Sequence, residues 1–327
     1  MRKRAMAALA LMVITGSSLA GPAQAQSPAT SPEPALGDPM PDRIVTLGGN
    51  VKVSADIVYS TIPGYRPITL DLYRAPSARP RPLVIYVHGG GWMGGHTRQS
   101  GAFSDFTAVL ADLAARGYVV ASLEYRLSKE APFPAAIDDV RTAIRFLRAN
   151  AGRFGIDPAR VAIWGGSAGG QLAALAALDC GHGATGEDKS NAQQSDCVKA
   201  AVGWYGVYDF ATMPVSAIPN AENAYLDCTK PACPADRVAA ASAAAHVDAK
   251  DPPMLLIHGT EDKTVPVGQS RELAAKLKAA NVPVTLEIID GVGHSWIGAD
   301  AAATRAASLR ALDLTVRFFD AHLKAAR

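Results

Sequence analysis

Ser167 lies in Gly165-Gly166-Ser167-Ala168-Gly169, a G-x-S-x-G run between the apolar stretch Val161 to Trp164 and an Ala/Leu-rich segment ending at Leu178. A serine between a strand and a helix sits on a sharp turn that pushes its hydroxyl out above the sheet edge. Small residues on either side keep so tight a turn free of clashes. A hydroxyl presented in this way becomes a nucleophile once a base takes its proton, and the base needs an acid to fix its tautomer. Chains of this type place the three groups in the order serine, acid, histidine. Asp262, in His258-Gly259-Thr260-Glu261-Asp262, and His294, in Gly291-Val292-Gly293-His294, follow Ser167 in that order, each in a loop after an apolar run. Asp209, after Val198 to Trp204, is the best rival acid, and Glu261 is a weaker one. Of the 7 histidines, His182, His246 and His322 belong to no constellation and read as structural. His88 and His258 read as bonded to the backbone of their own turns.

Acyl transfer also needs N–H donors aimed at the oxygen that becomes negative in the tetrahedral intermediate. His88-Gly89-Gly90-Gly91-Trp92, at the end of the apolar run Leu83 to Val87, supplies backbone that can approach such an oxygen without a side chain in the way. The same stretch, Gly89-x-Gly91-x-x-Gly94, also fits a dinucleotide fingerprint. That fingerprint requires a helix to open at once and an acidic residue about twenty positions on. Polar residues and Gly101 follow instead, and Glu124 comes too late, so a cofactor loop is not expected.

Positioning these groups is the task of alternating strands and helices. Strands are expected at Val51 to Tyr59, Ile68 to Tyr73, Leu83 to Val87, Val119 to Leu123, Val161 to Trp164, Val198 to Trp204, Met254 to Ile257 and Val284 to Ile289. Helices fit at Phe103 to Arg116, from Pro134 onward with Ile137, Val140, Ile144 and Leu147 on one face, after Ser167, at Val267 to Ala280 and at Ala303 to Lys324. The alternation predicts an α/β fold, a mostly parallel sheet covered on both faces. The stretches Asp179 to Asp196 and Val207 to Asp251 fit no repeating unit and read as insertions.

Hydrophobic residues make up 49% of the 327 and charged residues 19%, the balance of a chain with a large core. Met1 to Ala25 reads as a secretory signal: Arg2-Lys3-Arg4, an apolar run from Ala5 to Ile14, and Ala23-Gln24-Ala25 at the cleavage point. Gln26 to Arg43, with five prolines, reads as a linker, and residues 44–327 as the catalytic domain. Removal of the signal turns 32 basic against 30 acidic residues into 29 against 30, which excludes a basic nucleic-acid binder. No later run reaches the ~20 apolar residues of a membrane span. In an exported chain the 4 cysteines are expected as disulfides, three connectivities being open and the local pairs Cys180–Cys197 and Cys228–Cys233 preferred. A zinc site is disfavoured by irregular spacing without a histidine pair, so no metal is expected.

Taken together, HGGGW at 88–92, the run Glu124-Tyr125-Arg126-Leu127 through Phe133-Pro134-Ala135-Ala136, GGSAGG at 165–170, HGTEDKTVP from His258 and GVGH ending at His294 resemble the hormone-sensitive-lipase-like esterases of the α/β-hydrolase superfamily. The nearest likeness is to the acetylxylan or feruloyl esterase-like branch, and it covers Val51 to the C-terminus. The resemblance implies Ser167 as nucleophile, Asp262 as acid, His294 as base and an oxyanion hole from the amides of Gly90, Gly91 and Ala168. It implies no cofactor, and a small-molecule or carbohydrate ester with a short or aromatic acyl group as substrate. Trp92 and Trp296 are the candidate linings of an acyl or sugar site. A prolyl-oligopeptidase-like peptidase is disfavoured by HGGGW and by the lack of a propeller-sized N-terminal domain. A catalytically silent binding protein is disfavoured because serine, acid and histidine are all present. The oligomeric state is left open.

Overall fold

The structure, a computed structural model, describes residues 44–214 and 219–324. The expected signal and linker lie outside the described residues. Nine strands form one sheet: β1 Ile44–Leu47, β2 Val51–Ser60, β3 Ile68–Arg74, β4 Arg81–Val87, β5 Val119–Leu123, β6 Ile156–Gly166, β7 Ala200–Trp204, β8 Met254–Gly259 and β9 Val284–Ile289. Eight helices accompany them: α1 Phe106–Ala115, α2 Ala135–Ala149, α3 Ala151–Phe154, α4 Ala168–Leu178, α5 Pro219–Leu226, α6 Ala235–Ala241, α7 Gly268–Ala279 and α8 Ala301–Leu323.

The order across the sheet is β1-β2-β3-β5-β4-β6-β7-β8-β9. β1, β2, β3 and β5 pair antiparallel, and every pair from β5 to β9 is parallel. Strands buried on both faces must be apolar throughout. In β4, Leu83, Ile85 and Val87 point into one core and Val84 and Tyr86 into the other. α2, α4 and α7 close the first core through Ile137, Leu172 and Leu273, and α1 and α8 close the second through Leu110 and Phe319. Each fully buried side chain of this size contributes about 1.5–3 kcal/mol. The helices begin where their sequences say they should. Asp105 caps α1 by accepting from the Ala108 amide, and Asp300 caps α8 by accepting from that of Ala303.

Because β4, β6, β7, β8 and β9 run the same way, the loops that follow them open at one end of the sheet. Those loops carry Gly89–Gly91, Ser167, Tyr205, Asp262 and His294. Both preferred disulfides form, Cys180–Cys197 and Cys228–Cys233. The Asp179–Asp196 insertion holds neither helix nor strand, whereas the Val207–Asp251 insertion contains the short helices α5 and α6. β1 was not anticipated: it is an exposed edge strand whose composition shows no alternation to mark it.

Candidate active site

Ser167 joins β6 to α4 at φ 57° and ψ −123°, on the positive side that side-chain-bearing residues seldom occupy. Its amide donates to the Trp204 carbonyl at 2.9 Å, which ties the turn to β7. The flanking glycines are required. A Cβ on Gly165 would lie 2.2 Å from the Gly169 carbonyl oxygen, and one on Gly169 would lie 2.1 Å from that of Val87.

His294 follows β9, and its Nε2 lies 2.9 Å from Ser167 Oγ. Its Nδ1 lies 2.8 Å from Asp262 Oδ2. A carboxylate only accepts, so Nδ1 carries the proton and Nε2 is left to accept from the serine hydroxyl. Asp262 follows β8, and its Oδ1 accepts from the amides of Thr264 at 2.9 Å and Val265 at 2.8 Å. Burial works to raise this carboxyl's pKa, but hydrogen bonds from His258 and His294 outweigh it and hold the group well below the usual carboxylate range. Asp262 therefore stays ionised, as a partner to a developing imidazolium must.

His258 is a component that sequence reasoning assigned only to its own turn. Its Nε2 is 2.8 Å from the Val265 carbonyl, as a turn-bonding role requires, and 3.3 Å from Asp262 Oδ2. Both neighbours accept, so Nε2 carries the proton, and Nδ1 accepts from Ser270 Oγ at 2.7 Å. The carboxylate thus stands between two imidazoles. Tyr205 was missed altogether. It follows β7 directly, its ring lies edge-on to His294 with centroids 4.7 Å apart, and it lines the same cavity as Ser167. Its only signal in the sequence was its place immediately after a strand in the catalytic series.

The glycine loop packs directly on the serine turn: a Cβ on Gly89 would lie 2.8 Å from the Gly166 carbonyl oxygen. Gly90, at φ 115°, has no room for a side chain, since its Cβ would meet the Gly94 carbonyl oxygen at 2.2 Å. Among the described residues the amides of Gly90 and Gly91 donate to no backbone acceptor. Ala168 opens α4, where an N–H has no partner within the helix. Gly90, Gly91, Ser167 and His294 line one cavity of about 410 Å³. Its walls are mostly short, with Ser100, Gly101 and Ser295 among them, beside the rings of Tyr86 and Tyr205.

Two other expectations resolve differently. Trp92 and Trp296 are fully buried and do not line the cavity. Trp92 stacks on Tyr225 at 4.5 Å and donates to Gln171 Oε1 at 2.9 Å. Trp296 packs edge-on against Trp204 and Tyr205, so both indoles are core beneath the loops. The rival acids are engaged elsewhere: Asp209 lies 3.6 Å from Lys276 Nζ, and Glu261 lies 3.6 Å from Lys263 Nζ. His88 does bond its own turn, with Nδ1 2.7 Å from the Gly89 carbonyl, and burial pushes its pKa down to about 4. Among the described residues no cluster of three or more His, Cys, Asp or Glu side chains could hold a metal ion.

A serine on a strand–helix elbow, with acid and histidine arriving from later strands of one doubly covered, mostly parallel sheet, defines the α/β-hydrolase class. Residues 70–277 match the BD-FAE family, and the chain belongs to it. Esterase LipC of Mycobacterium tuberculosis is 34% identical over 242 residues, covering 72% of this chain and 58% of LipC. Esterase LipQ of the same organism is 34% identical over 258 residues, covering 77% of this chain and 58% of LipQ. The chain thus spans a little under three fifths of these curated relatives. Among solved structures, a truncated carbohydrate esterase from gut microbiota superposes with a TM-score of 0.72 at 26% identity, covering 88% of this chain and 99% of that one. An acetyl ester-xyloside bifunctional hydrolase from Caldicellulosiruptor lactoaceticus gives 0.68 at 25% identity, covering 81% and 95%.

Proposed function

We propose that this chain is a serine carboxylic ester hydrolase that works through an acyl-enzyme. The observation that carries this reading is the continuous relay from Asp262 Oδ2 through His294 to Ser167 Oγ, at 2.8 and 2.9 Å, opening on a cavity with the Gly90 and Gly91 amides in its wall. Ser167 Oγ attacks the ester carbonyl as its proton passes to His294 Nε2. The amides of Gly90, Gly91 and Ala168 hold the oxyanion, and Asp262 stabilises the imidazolium. His294 returns the proton to the departing alkoxide, which leaves as alcohol. Water then attacks the acyl-enzyme, giving its proton to His294, and the acid leaves as Ser167 regains its hydroxyl.

The substrate reading is an ester of a short or aromatic acyl group on a carbohydrate. Support comes from the cavity of about 410 Å³ beside Ser167 and from structural neighbours that are a carbohydrate esterase and an acetyl ester-xyloside bifunctional hydrolase. The two disulfides fit an oxidising compartment, in keeping with the export signal expected at residues 1–25. No helix among the described residues is long and apolar enough to cross a membrane.

Ser167→Ala tests the chemistry. Hydrolysis of p-nitrophenyl acetate should fall by about 10⁶-fold, the loss seen when the nucleophile of such a triad is removed. Undiminished turnover by the pure variant would refute the assignment. A screen of p-nitrophenyl esters of graded length, acetylated xylan and methyl ferulate tests the substrate. Preference for long-chain esters would overturn the carbohydrate reading.

A further inference from the structure

The end of the sheet opposite the candidate active site is strongly basic. Lys52 at the start of β2, Arg74 at the end of β3, Arg79 and Arg81 before and at the start of β4, Arg116 after α1 and Arg153 in α3 all gather there. They line two hollows of about 540 and 490 Å³ that share the wall Ser77–Arg81, so the two form one trough. No carboxylate lines either hollow. Two further cations at the rim are neutralised, Arg160 by Asp157 at 2.6 Å and Lys324 by Asp320 at 2.5 Å. Among the described residues the other six pair with no carboxylate.

So many unpaired cations on a chain with 32 basic and 30 acidic residues are not a bulk charge effect. Arg74 and Arg153 stand over the same ring, that of Phe154, at 5.8 and 5.4 Å from its centroid. Arg74 Nε is buried without a hydrogen-bond partner. Burial and the charge of Arg153 both work against Arg74's protonated state. An anion between these guanidinium groups would relieve that repulsion, and a guanidinium fork matches a carboxylate with two parallel hydrogen bonds.

We propose that this trough binds an acidic polysaccharide, a chain whose uronate carboxylates pair with the arginines. A concave trough suits a linear chain, whereas a lipid surface needs a flat or convex face. None of the exposed large apolar residues, Ile44, Val45, Val58, Ile297 and Leu309, lines it to anchor a bilayer. A single-stranded nucleic acid needs exposed aromatic faces for stacking, and Phe154 is buried. Pro80 on the shared wall and Pro76 in the larger hollow are exposed and offer flat apolar surface to the CH faces of a pyranose. The catalytic mouth lies beyond the length of β4, about 20 Å for seven residues, so a bound chain leaves that mouth free. Such a trough would hold the protein on an acidic glycan while the other end turns over.

Affinity electrophoresis of the full chain through gels containing polygalacturonate, neutral dextran or no polymer tests this directly, since no ester is present and the readout is independent of hydrolysis. Polygalacturonate alone should retard the protein, and salt above about 0.1 M should release it. Arg79→Glu with Arg153→Glu, both exposed, should weaken retention about ten-fold while p-nitrophenyl acetate turnover stays at the wild-type level. Lysine at the same two positions should restore most of the retention. Equal retardation by dextran, no retardation by polygalacturonate, wild-type retention by the charge-reversed variant, or binding only to phosphatidylglycerol vesicles or oligonucleotides would overturn the proposal.

Discussion

At the scale of single residues, the sequence was most legible where chemistry demands one residue type. Ser167, Asp262 and His294 were readable as candidates because each follows a strand in the serine–acid–histidine order, and the fold brings them within hydrogen-bond distance. Gly90 was readable because its φ of 115° admits little else. Trp92 and Trp296 were misread because a loop indole gives the same letter whether it faces substrate or core, and only packing decides. His258 was half read: its turn bond was foreseeable, but its approach to Asp262 depends on the fold of the loop from Gly259 to Val265. The proton on His258 Nε2 points toward Asp262 Oδ2 and the Val265 carbonyl, so the residue positions the acid. His258→Leu should therefore lower kcat for p-nitrophenyl acetate about ten-fold with KM little changed, the cost of one hydrogen bond to a charged group. His258→Gln, which can return an N–H donor, should recover part of that loss. Equal damage from both variants, or a change in KM alone, would assign His258 to packing.

At the scale of elements, the period-3.6 and all-apolar segments were legible, and the insertions were not. α2 announced itself through Ile137, Val140, Ile144 and Leu147, while α5 and α6 are too short to show a period and owe their form to tertiary contacts and the Cys228–Cys233 bridge. The Asp179–Asp196 insertion is held by charges whose meeting no local pattern could show. Asp179 lies 3.3 Å from His246 Nδ1 and 2.6 Å from Arg141, beside the Cys180–Cys197 bridge. The hydrogen bond to Asp179 raises the His246 pKa, and the same bond depresses that of Asp179. A raised histidine contributes stability below its ordinary value, about 6.5, and loses it as pH climbs through the folded value. A depressed carboxyl contributes above its ordinary value, about 4, and loses it as pH falls through its own folded value. The clamp is thus complete between about pH 4 and 6.5. His246→Gln should lower Tm by about 2 °C near pH 5.5, for ~1 kcal/mol, and by much less near pH 9. A Tm difference of the same size at both pH values would mean that the histidine acts by shape alone.

At the scale of the whole molecule, the parallel half of the sheet carries the candidate site and the antiparallel half extends it. The candidate catalytic loops follow strands β4 to β9, whereas β1 stands at the far edge, separated from β4 by β2, β3 and β5. β1 pairs with β2 through four residues, three of them exposed, so it buries little apolar surface. Asp42–Arg327 is a compact unit on its own. A chain begun at Asp42 should therefore melt within about 2 °C of the full chain, the shift of ~1 kcal/mol in a domain of this size. Its kcat/KM for p-nitrophenyl acetate should be unchanged, because every group of the relay and of the glycine loop belongs to Asp42–Arg327. Removing β1 as well, by starting at Val51, exposes the edge of β2 and should lower Tm further while still sparing kcat/KM. Thermal melts and initial rates on the three chains separate these outcomes. A loss of activity on removing residues 1–41 alone would place part of the active machinery in that segment, and the assignment of catalysis to the sheet's parallel end would have to be redrawn.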